Sequence, residues 1–259
     1  MSPPLIAVLA LIGLLLGWPL RALIFRYAVP AGEPPRTSCP ACAQPVSPAR
    51  LSARCPACGE RAGPPPLAVA VSTAVLFGAL AARVHPALAA GVHSGLVLGA
   101  ACWLAACAVP LVFIDAAVHR LPDAATVPAY AGTVLLLLVA AATASPANAG
   151  AASPVAAAGP WPVLLRAVLG GFALAGFYLV LLLVSPASMG LGDVKLAASL
   201  GTMLAWFGWR MLIAGGFAGF ALAGLYGAAL LVTHRATPKS QIPFGPFMIA
   251  GAFLVILIR

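Results

Sequence analysis

The sequence is short of charge, and of negative charge above all. Only 7% of its 259 residues are charged and 63% are hydrophobic, against about a quarter and about half in soluble domains. Water is therefore excluded as its main solvent. A net charge of +9 would indicate nucleic-acid binding in a soluble protein, but here the basic residues lie at the ends of apolar runs, as in membrane proteins. We expect an integral membrane protein that binds the lipid bilayer and no nucleic acid.

Long uncharged runs predict an all-α fold with about eight transmembrane helices, at about 20 residues for each span. The first run has no basic residue before it and no small-residue cleavage site after it, which favours a retained span over a signal peptide. We predict a first span in 1–29, a cytoplasmic cysteine loop in 30–65 and a polytopic membrane domain in 66–259. The predicted spans lie near residues 4–25, 66–83, 90–114, 124–144, 161–185, 196–209, 211–233 and 243–258.

Basic residues are distributed unevenly between the two sides that these spans define, ten against four. The positive-inside rule puts the richer side in the cytoplasm, and both termini outside. The cytoplasmic segments are then the cysteine loop, 115–123, 186–195 and 234–242. The uncharged stretch 145–160 is predicted to be an external connector.

Acidic residues are the scarcest of the chemically useful groups. The chain has five, and three of them, Asp115, Asp123 and Asp193, adjoin apolar runs. A carboxylate beside hydrocarbon is costly, so each of these three is a candidate functional residue. Because the predicted topology puts all three at the cytoplasmic face, two of them can meet.

Two carboxylates that share a site do not both ionise readily, so one keeps a proton. The charged one can activate a water against a peptide carbonyl while the protonated one donates to the carbonyl oxygen. Gly190 and Gly192 beside Asp193 would let a substrate backbone approach closely. No other nucleophile competes, since the chain lacks G-x-S-x-G and its four histidines lie in no zinc-protease spacing.

Structural explanations for the same residues stay open. Asp123, and less readily Asp193, can be residues of a helix N-terminal turn. Lys195 can be a topology marker or a charge partner for Asp193. His119 and Arg120 are better explained as interfacial anchors than as catalytic groups. Two further cysteines, Cys102 and Cys107, lie in an apolar run and are expected to be packing residues.

The loop between the first two spans carries two C-x-x-C motifs with twelve residues between them. Each motif can chelate one ion from a tight turn, so the pair predicts a tetrahedral zinc site. Four cysteine ligands leave no open position, which makes the zinc structural. Disulfides are disfavoured in a reducing cytosol, and a redox role is a weaker third option. The predicted ligands are Cys39, Cys42, Cys55 and Cys58.

Together these motifs resemble those of the bacterial type IV prepilin peptidases, which belong with the G-x-G-D aspartyl proteases of membranes. The likeness covers nearly the whole chain. It is carried by Phe113-Ile114-Asp115 with Leu121-Pro122-Asp123, by Gly190-Leu191-Gly192-Asp193-Val194-Lys195-Leu196, by the cysteine loop, by 242–247 and, faintly, by 17–21 with Arg26.

The resemblance implies a multi-pass inner-membrane enzyme that cleaves the basic leader of prepilins or pseudopilins after a glycine, on the cytoplasmic side. These substrates serve type IV pili and type II secretion. Asp115 and Asp193 become the catalytic pair, with Asp123 as the alternative partner. Gly190, Gly192 and Lys195 become the substrate loop.

The resemblance also implies N-methylation of the new amino terminus from S-adenosylmethionine, as in many full-length members. Here Arg21 stands where the family usually has asparagine, and the knuckles lie closer together. Arg61-Ala62-Gly63-Pro64-Pro65-Pro66 replaces a more polar stretch. Methylation is thus a secondary expectation, and no residue is assigned to the cofactor.

Two other functions fit the same composition. An ion-coupled transporter also uses intramembrane carboxylates and helices broken at glycine. It predicts carboxylates near mid-membrane, whereas all three here are predicted at span ends. A zinc-stabilised assembly protein of a secretion system would use the aspartates as caps, and would tolerate their replacement by asparagine.

Overall fold

The computed structural model describes residues 3–30, 32–46, 54–61, 63–87, 92–144, 154–186, 189–235 and 242–259. Nearly all of the described chain outside the cysteine loop is helical, which confirms the predicted all-α class. Parts of the predicted connector, of the 234–242 loop and of the cysteine loop lie outside these ranges. The helices are α1 Pro3–Tyr27, α2 Pro66–Ala87, α3 Val92–Val118, α4 Asp123–Thr143, α5 Pro154–Ala158, α6 Pro160–Val184, α7 Leu191–Phe207, α8 Trp209–Val232 and α9 Gly245–Ile258.

Six of these helices, α1, α2, α3, α4, α6 and α8, are long and apolar enough to cross a membrane. The other two long helices are shorter: α7 has 17 residues and α9 has 14. At 1.5 Å per residue they measure about 26 and 21 Å, less than the roughly 30 Å of a hydrocarbon core. The eight predicted spans thus correspond to eight helices, of which two are shorter than a full crossing.

Contacts at the helix ends define two ends of the bundle. At one end the link between α3 and α4 meets the first turns of α7 and α9, and Arg120 donates to the carbonyl of Pro30 at 3.0 Å. At the other end His93 of α3 contacts the Ala140 carbonyl of α4 at 3.0 Å. Arg166 of α6 donates there to the carbonyls of Ala205 and Trp206. The cysteine loop therefore lies at the end where α7 and α9 begin.

Small residues let α6 and α7 pack backbone to backbone. A Cβ added at Gly201 would lie 2.9 Å from the carbonyl oxygen of Gly170. One at Gly171 would meet the Thr202 hydroxyl and would lie 2.8 Å from the Ala198 carbonyl oxygen. Close approach of this kind is how helices associate in lipid, where water does not drive apolar surfaces together. It fixes α7 against α6 along its length.

We expect Gly171→Ala to destabilise the protein by about 1–3 kcal/mol, because the methyl group overpacks the α6–α7 contact. Gly176→Ala is the matched control on the same helix, since a Cβ there meets nothing within 4 Å. The control should be neutral or stabilising by up to about 1 kcal/mol. Thermal unfolding in one detergent measures both. Equal melting temperatures for the two variants would contradict this packing.

Candidate functional site

A polar cavity of about 360 Å³ lies at the end of the bundle where α3 ends and α4 and α7 begin. The three candidate aspartates line it together with the predicted glycines and Lys195. The topology that puts their segments on one face thus brings them to one cavity. Its lining residues are Asp115, His119, Arg120, Leu121, Asp123, Gly190, Leu191, Gly192, Asp193 and Lys195.

Asp115 lies in the last turn of α3 and is only 5% exposed. The negative end of a helix dipole disfavours a carboxylate at this position. The main chain of α9 compensates, because the Gly245 N–H donates to Asp115 Oδ2 at 3.0 Å. A Cβ at residue 245 would lie 2.8 Å from that oxygen, so any larger residue there would displace the carboxylate from this position. Sequence reasoning missed this role of Gly245, although the resemblance includes the segment 242–247.

Asp193 occupies the first turn of α7 and is 8% exposed. Its Oδ2 accepts the N–H of Gly190 at 2.9 Å, which caps the helix. Its Oδ1 is buried and accepts no hydrogen bond from the described residues. The structural explanation, an N-terminal helix residue, therefore holds for one oxygen. The second oxygen is left for another partner.

Asp123 differs from the other two aspartates in its exposure and in its partner. It is the first residue of α4, with 66% of its side chain exposed, and its Oδ1 lies 2.6 Å from Lys195 Nζ. Of the two explanations left open for Lys195, a charge partner for Asp193 does not hold, because the exposed Lys195 side chain reaches Asp123 of α4 instead. Asp123 also lies in the first turn of its helix, as the structural alternative predicted.

The two glycines beside Asp193 have different surroundings. A Cβ at Gly192 would lie 2.6 Å from the Leu121 Cβ and 3.0 Å from the Leu121 carbonyl oxygen. Gly192 therefore packs the start of α7 against the α3–α4 link. A Cβ at Gly190 would meet only ordinary contacts, at 3.7 Å or more. Gly190 leaves its main chain open to the cavity.

An aromatic cluster lies behind the first turn of α9. Tyr178 of α6 is buried and stacks on Phe220 of α8, with ring centroids 5.5 Å apart and planes at 10°. Both rings contact Phe244, the residue before Gly245. Stacked and tilted aromatic pairs stabilise their relative positions. The cluster thus supports the turn whose N–H binds Asp115, a role that separated aromatic residues in the sequence do not reveal.

The two C-x-x-C motifs form matching turns. Cys39 donates its N–H to the Gln44 carbonyl, and Cys55 donates in the same way to Glu60, at 2.9 and 2.7 Å. Each turn closes through a residue with positive φ, Ala43 at 58° and Gly59 at 74°. Hydrogen bonds from the main-chain N–H of Cys58 and, to a smaller extent, of Ala57 lower the pKa of the Cys55 thiol to about 6. Local backbone geometry therefore brings two thiols together in each motif.

The four sulfur atoms form one cluster, all within 4.8 Å of one another. Cys39 Sγ lies 3.7 Å from Cys58 Sγ, and Cys42 Sγ lies 3.6 Å from Cys55 Sγ. A disulfide requires about 2.05 Å, and all four cysteines are free. Tetrahedral Zn²⁺ with Zn–S bonds of about 2.3 Å separates its ligands by about 3.8 Å. The thiols fit a metal ion such as zinc.

Arginines attach the cysteine loop to the membrane helices. The buried Arg21 of α1 donates to the Pro64 carbonyl at 3.0 Å, where the loop returns to α2. Arg36 donates to the Ala28 carbonyl at 3.0 Å, where the loop leaves α1. Arg120 lines the cavity and donates to Pro30. His119 also lines the cavity and has a positive φ of 52°. Arg120 and His119 therefore border the cavity and also lie at the end of the bundle.

Comparisons with models of protein families, with curated proteins and with solved structures give no match for this chain. Its family membership is therefore an expectation from the motifs. What the cavity and the cysteine cluster can do follows from their own side chains.

We expect the purified protein to carry one zinc ion per chain, and Cys58→Ser to lose it, because three thiolates hold the ion less tightly than four. Cys107→Ser, which changes a cysteine within α3, is the control and should retain zinc. Metal analysis by mass spectrometry measures the content. Zinc retained by Cys58→Ser, or lost equally by Cys107→Ser, would contradict the assignment.

Proposed function

We propose that the protein is an aspartyl endopeptidase of the bacterial inner membrane, with Asp115 and Asp193 as its catalytic pair. One observation carries the proposal: two buried carboxylates from different helices line one polar cavity at the end of an apolar bundle. A membrane protein keeps such groups at a cost, so they indicate function. Their residue type and arrangement fit acid–base cleavage of a peptide bond.

In this mechanism the two aspartates share one proton. The ionised carboxylate removes a proton from a water, and the resulting hydroxide attacks the peptide carbonyl carbon. The protonated carboxyl donates to the carbonyl oxygen, which gives a tetrahedral intermediate. Collapse of that intermediate breaks the C–N bond and returns a proton to the leaving amine. Asp115 Oδ2 and Asp193 Oδ2 stay bonded to main-chain N–H groups and orient the pair.

The substrate class follows from the resemblance and from the position of the cavity. Prepilins and pseudopilins carry a basic leader followed by an apolar helix, so their cleavage point lies at the cytoplasmic membrane face. The positive-inside rule predicts that the cavity lies at that face. The exposed main chain at Gly190 favours a close approach by the glycine before the cleaved bond.

The cysteine cluster has a structural role in this proposal. Zinc held by Cys39, Cys42, Cys55 and Cys58 folds a loop that is too small to have a core. With four thiolates it offers no open position, so it takes no part in the peptide cleavage. Methylation from S-adenosylmethionine, which the resemblance also implies, is a separate activity without assigned residues.

The test is co-expression of the protein with a glycine-bearing prepilin and measurement of pilin size in membranes. We expect Asp115→Asn and Asp193→Asn each to slow processing by roughly a hundredfold to ten-thousandfold, because each removes an acid–base group. Asp123→Asn is the matched control, an aspartate in the same cavity that is exposed and ion-paired, and it should slow processing by no more than roughly fivefold.

The outcomes separate the alternatives. Loss with Asp123→Asn in place of Asp115→Asn would move the catalytic partner to Asp123. Full processing in all three variants, each inserted at the wild-type level, would overturn the protease and favour the transporter or the assembly protein. Against the transporter, Asp115 lies in the last turn of α3 and Asp193 in the first turn of α7, so both lie at helix ends and not in the middle of a helix.

A further inference from the structure

We propose that the Asp123–Lys195 ion pair is a positioning clamp that holds the first turn of α7, and with it Asp193, against the link that follows Asp115. The inference rests on the proposed function for its catalytic meaning. The clamp itself concerns only the contact between the starts of α4 and α7. It assigns to Asp123 and Lys195 a role outside the catalytic pair.

The ion pair joins two helices that are distant in sequence. Lys195 Nζ and Asp123 Oδ1 are 2.6 Å apart and connect α7 to α4. Asp193 lies only two residues before Lys195, so the two side chains point about 200° apart around the helix. Asp193 is buried toward the cavity interior while Lys195 is 45% exposed at its rim. The clamp therefore acts on the helix turn that carries Asp193 without contacting its carboxylate.

A second contact runs beside the ion pair. Gly192 packs on Leu121 so closely that a Cβ added to the glycine would lie 2.6 Å from the Leu121 Cβ. The segments 121–123 and 192–195 are thus joined twice, once by close packing and once by charge. Asp115 lies in the last turn of α3, just before this link. Asp193 lies on α7 between the two contacts, which are made by Gly192 and Lys195. Movement of the α7 start away from this link would separate the two catalytic carboxylates.

The pair is exposed, and exposed ion pairs contribute little to global stability. Its effect is therefore expected at the helix end and not on the fold. Close packing at Gly192 limits sliding, but it provides no directional bond to keep the helix end from lifting. The ion pair supplies that bond, because its charges attract along a defined line between Asp123 and Lys195.

The geometry also separates the clamp from a substrate-binding carboxylate. Asp123 already has Lys195 as a partner, and a basic leader would have to displace it. A clamp predicts that Asp123→Asn lowers kcat, because the carboxylates are less often aligned. A binding carboxylate predicts a raised KM with kcat unchanged. The two roles therefore differ in a measurable quantity.

The experiment compares Asp123→Asn, Lys195→Met and the double variant in the purified full-length protein. Amide hydrogen exchange over 190–196 reports the α7 start independently of any activity. We expect both single variants to exchange roughly two- to fivefold faster there, the range that an exposed pair supports. The double variant should be no faster than the faster single variant. For prepilin cleavage, kcat should fall by a similar factor with KM unchanged.

Two further variants act as controls. Lys195→Arg keeps the charge and should keep wild-type exchange over 190–196. Arg83→Met removes one exposed cation near the end of α2 remote from the cysteine loop, and should change neither exchange nor kcat. Wild-type exchange over 190–196 in both single variants would overturn the clamp. So would additive losses in the double variant, or a raised KM in Asp123→Asn alone.

The exchange readout also separates this inference from the proposed function. If wild-type protein leaves every prepilin uncut, the protease is overturned, while exchange in the same variants still supports or overturns the clamp. If prepilin is cut but exchange is unchanged, only the clamp fails.

Discussion

Buried carboxylates held by helix N-termini are the constraint on which this bundle depends. A carboxylate in an apolar interior is costly unless donors satisfy its oxygens. Asp193 receives the N–H of Gly190 at the start of α7, and Asp115 receives that of Gly245 at the start of α9. The positive end of each helix dipole favours the same placement. These are the two shortest of the eight long helices, and each begins where a main-chain N–H meets a buried carboxylate.

The starts of α7 and α9 reach these carboxylates because glycines let the chain pack closely there. Glycine at 192 lets α7 approach the α3–α4 link, and glycine at 245 lets α9 approach Asp115. At its other end α7 is held by Arg166, which donates to the last carbonyls of the helix, where a positive charge is favoured. If α7 presents a catalytic group, as proposed, it must resist tilting, and contacts at both of its ends limit that motion. The aromatic cluster at Tyr178 gives the start of α9 comparable support.

Prediction from sequence succeeds where the determinants are local. Hydropathy predicts the extent of α6 closely, since the predicted span 161–185 corresponds to Pro160–Val184. The cysteine cluster is predictable because each motif brings two ligands together within one turn. The start of α7 is predicted five residues late, since hydropathy interprets Gly-Leu-Gly-Asp as a loop, while Asp193 caps a helix that begins at Leu191. Likewise α3 continues past Asp115, because the partner that makes its burial tolerable is 130 residues away in sequence.

The proposed reaction limits the form in which a peptide can enter the cavity. In an α-helix each main-chain carbonyl oxygen accepts the N–H of the residue four positions further on. A carbonyl bonded in this way is less accessible to the carboxyl that must donate to its oxygen and to the water that attacks its carbon. A substrate of the proposed protease must therefore present an extended segment to Asp115 and Asp193, with its helix beginning outside the cavity. Under this proposal the cleaved bond adjoins an apolar helix without belonging to it.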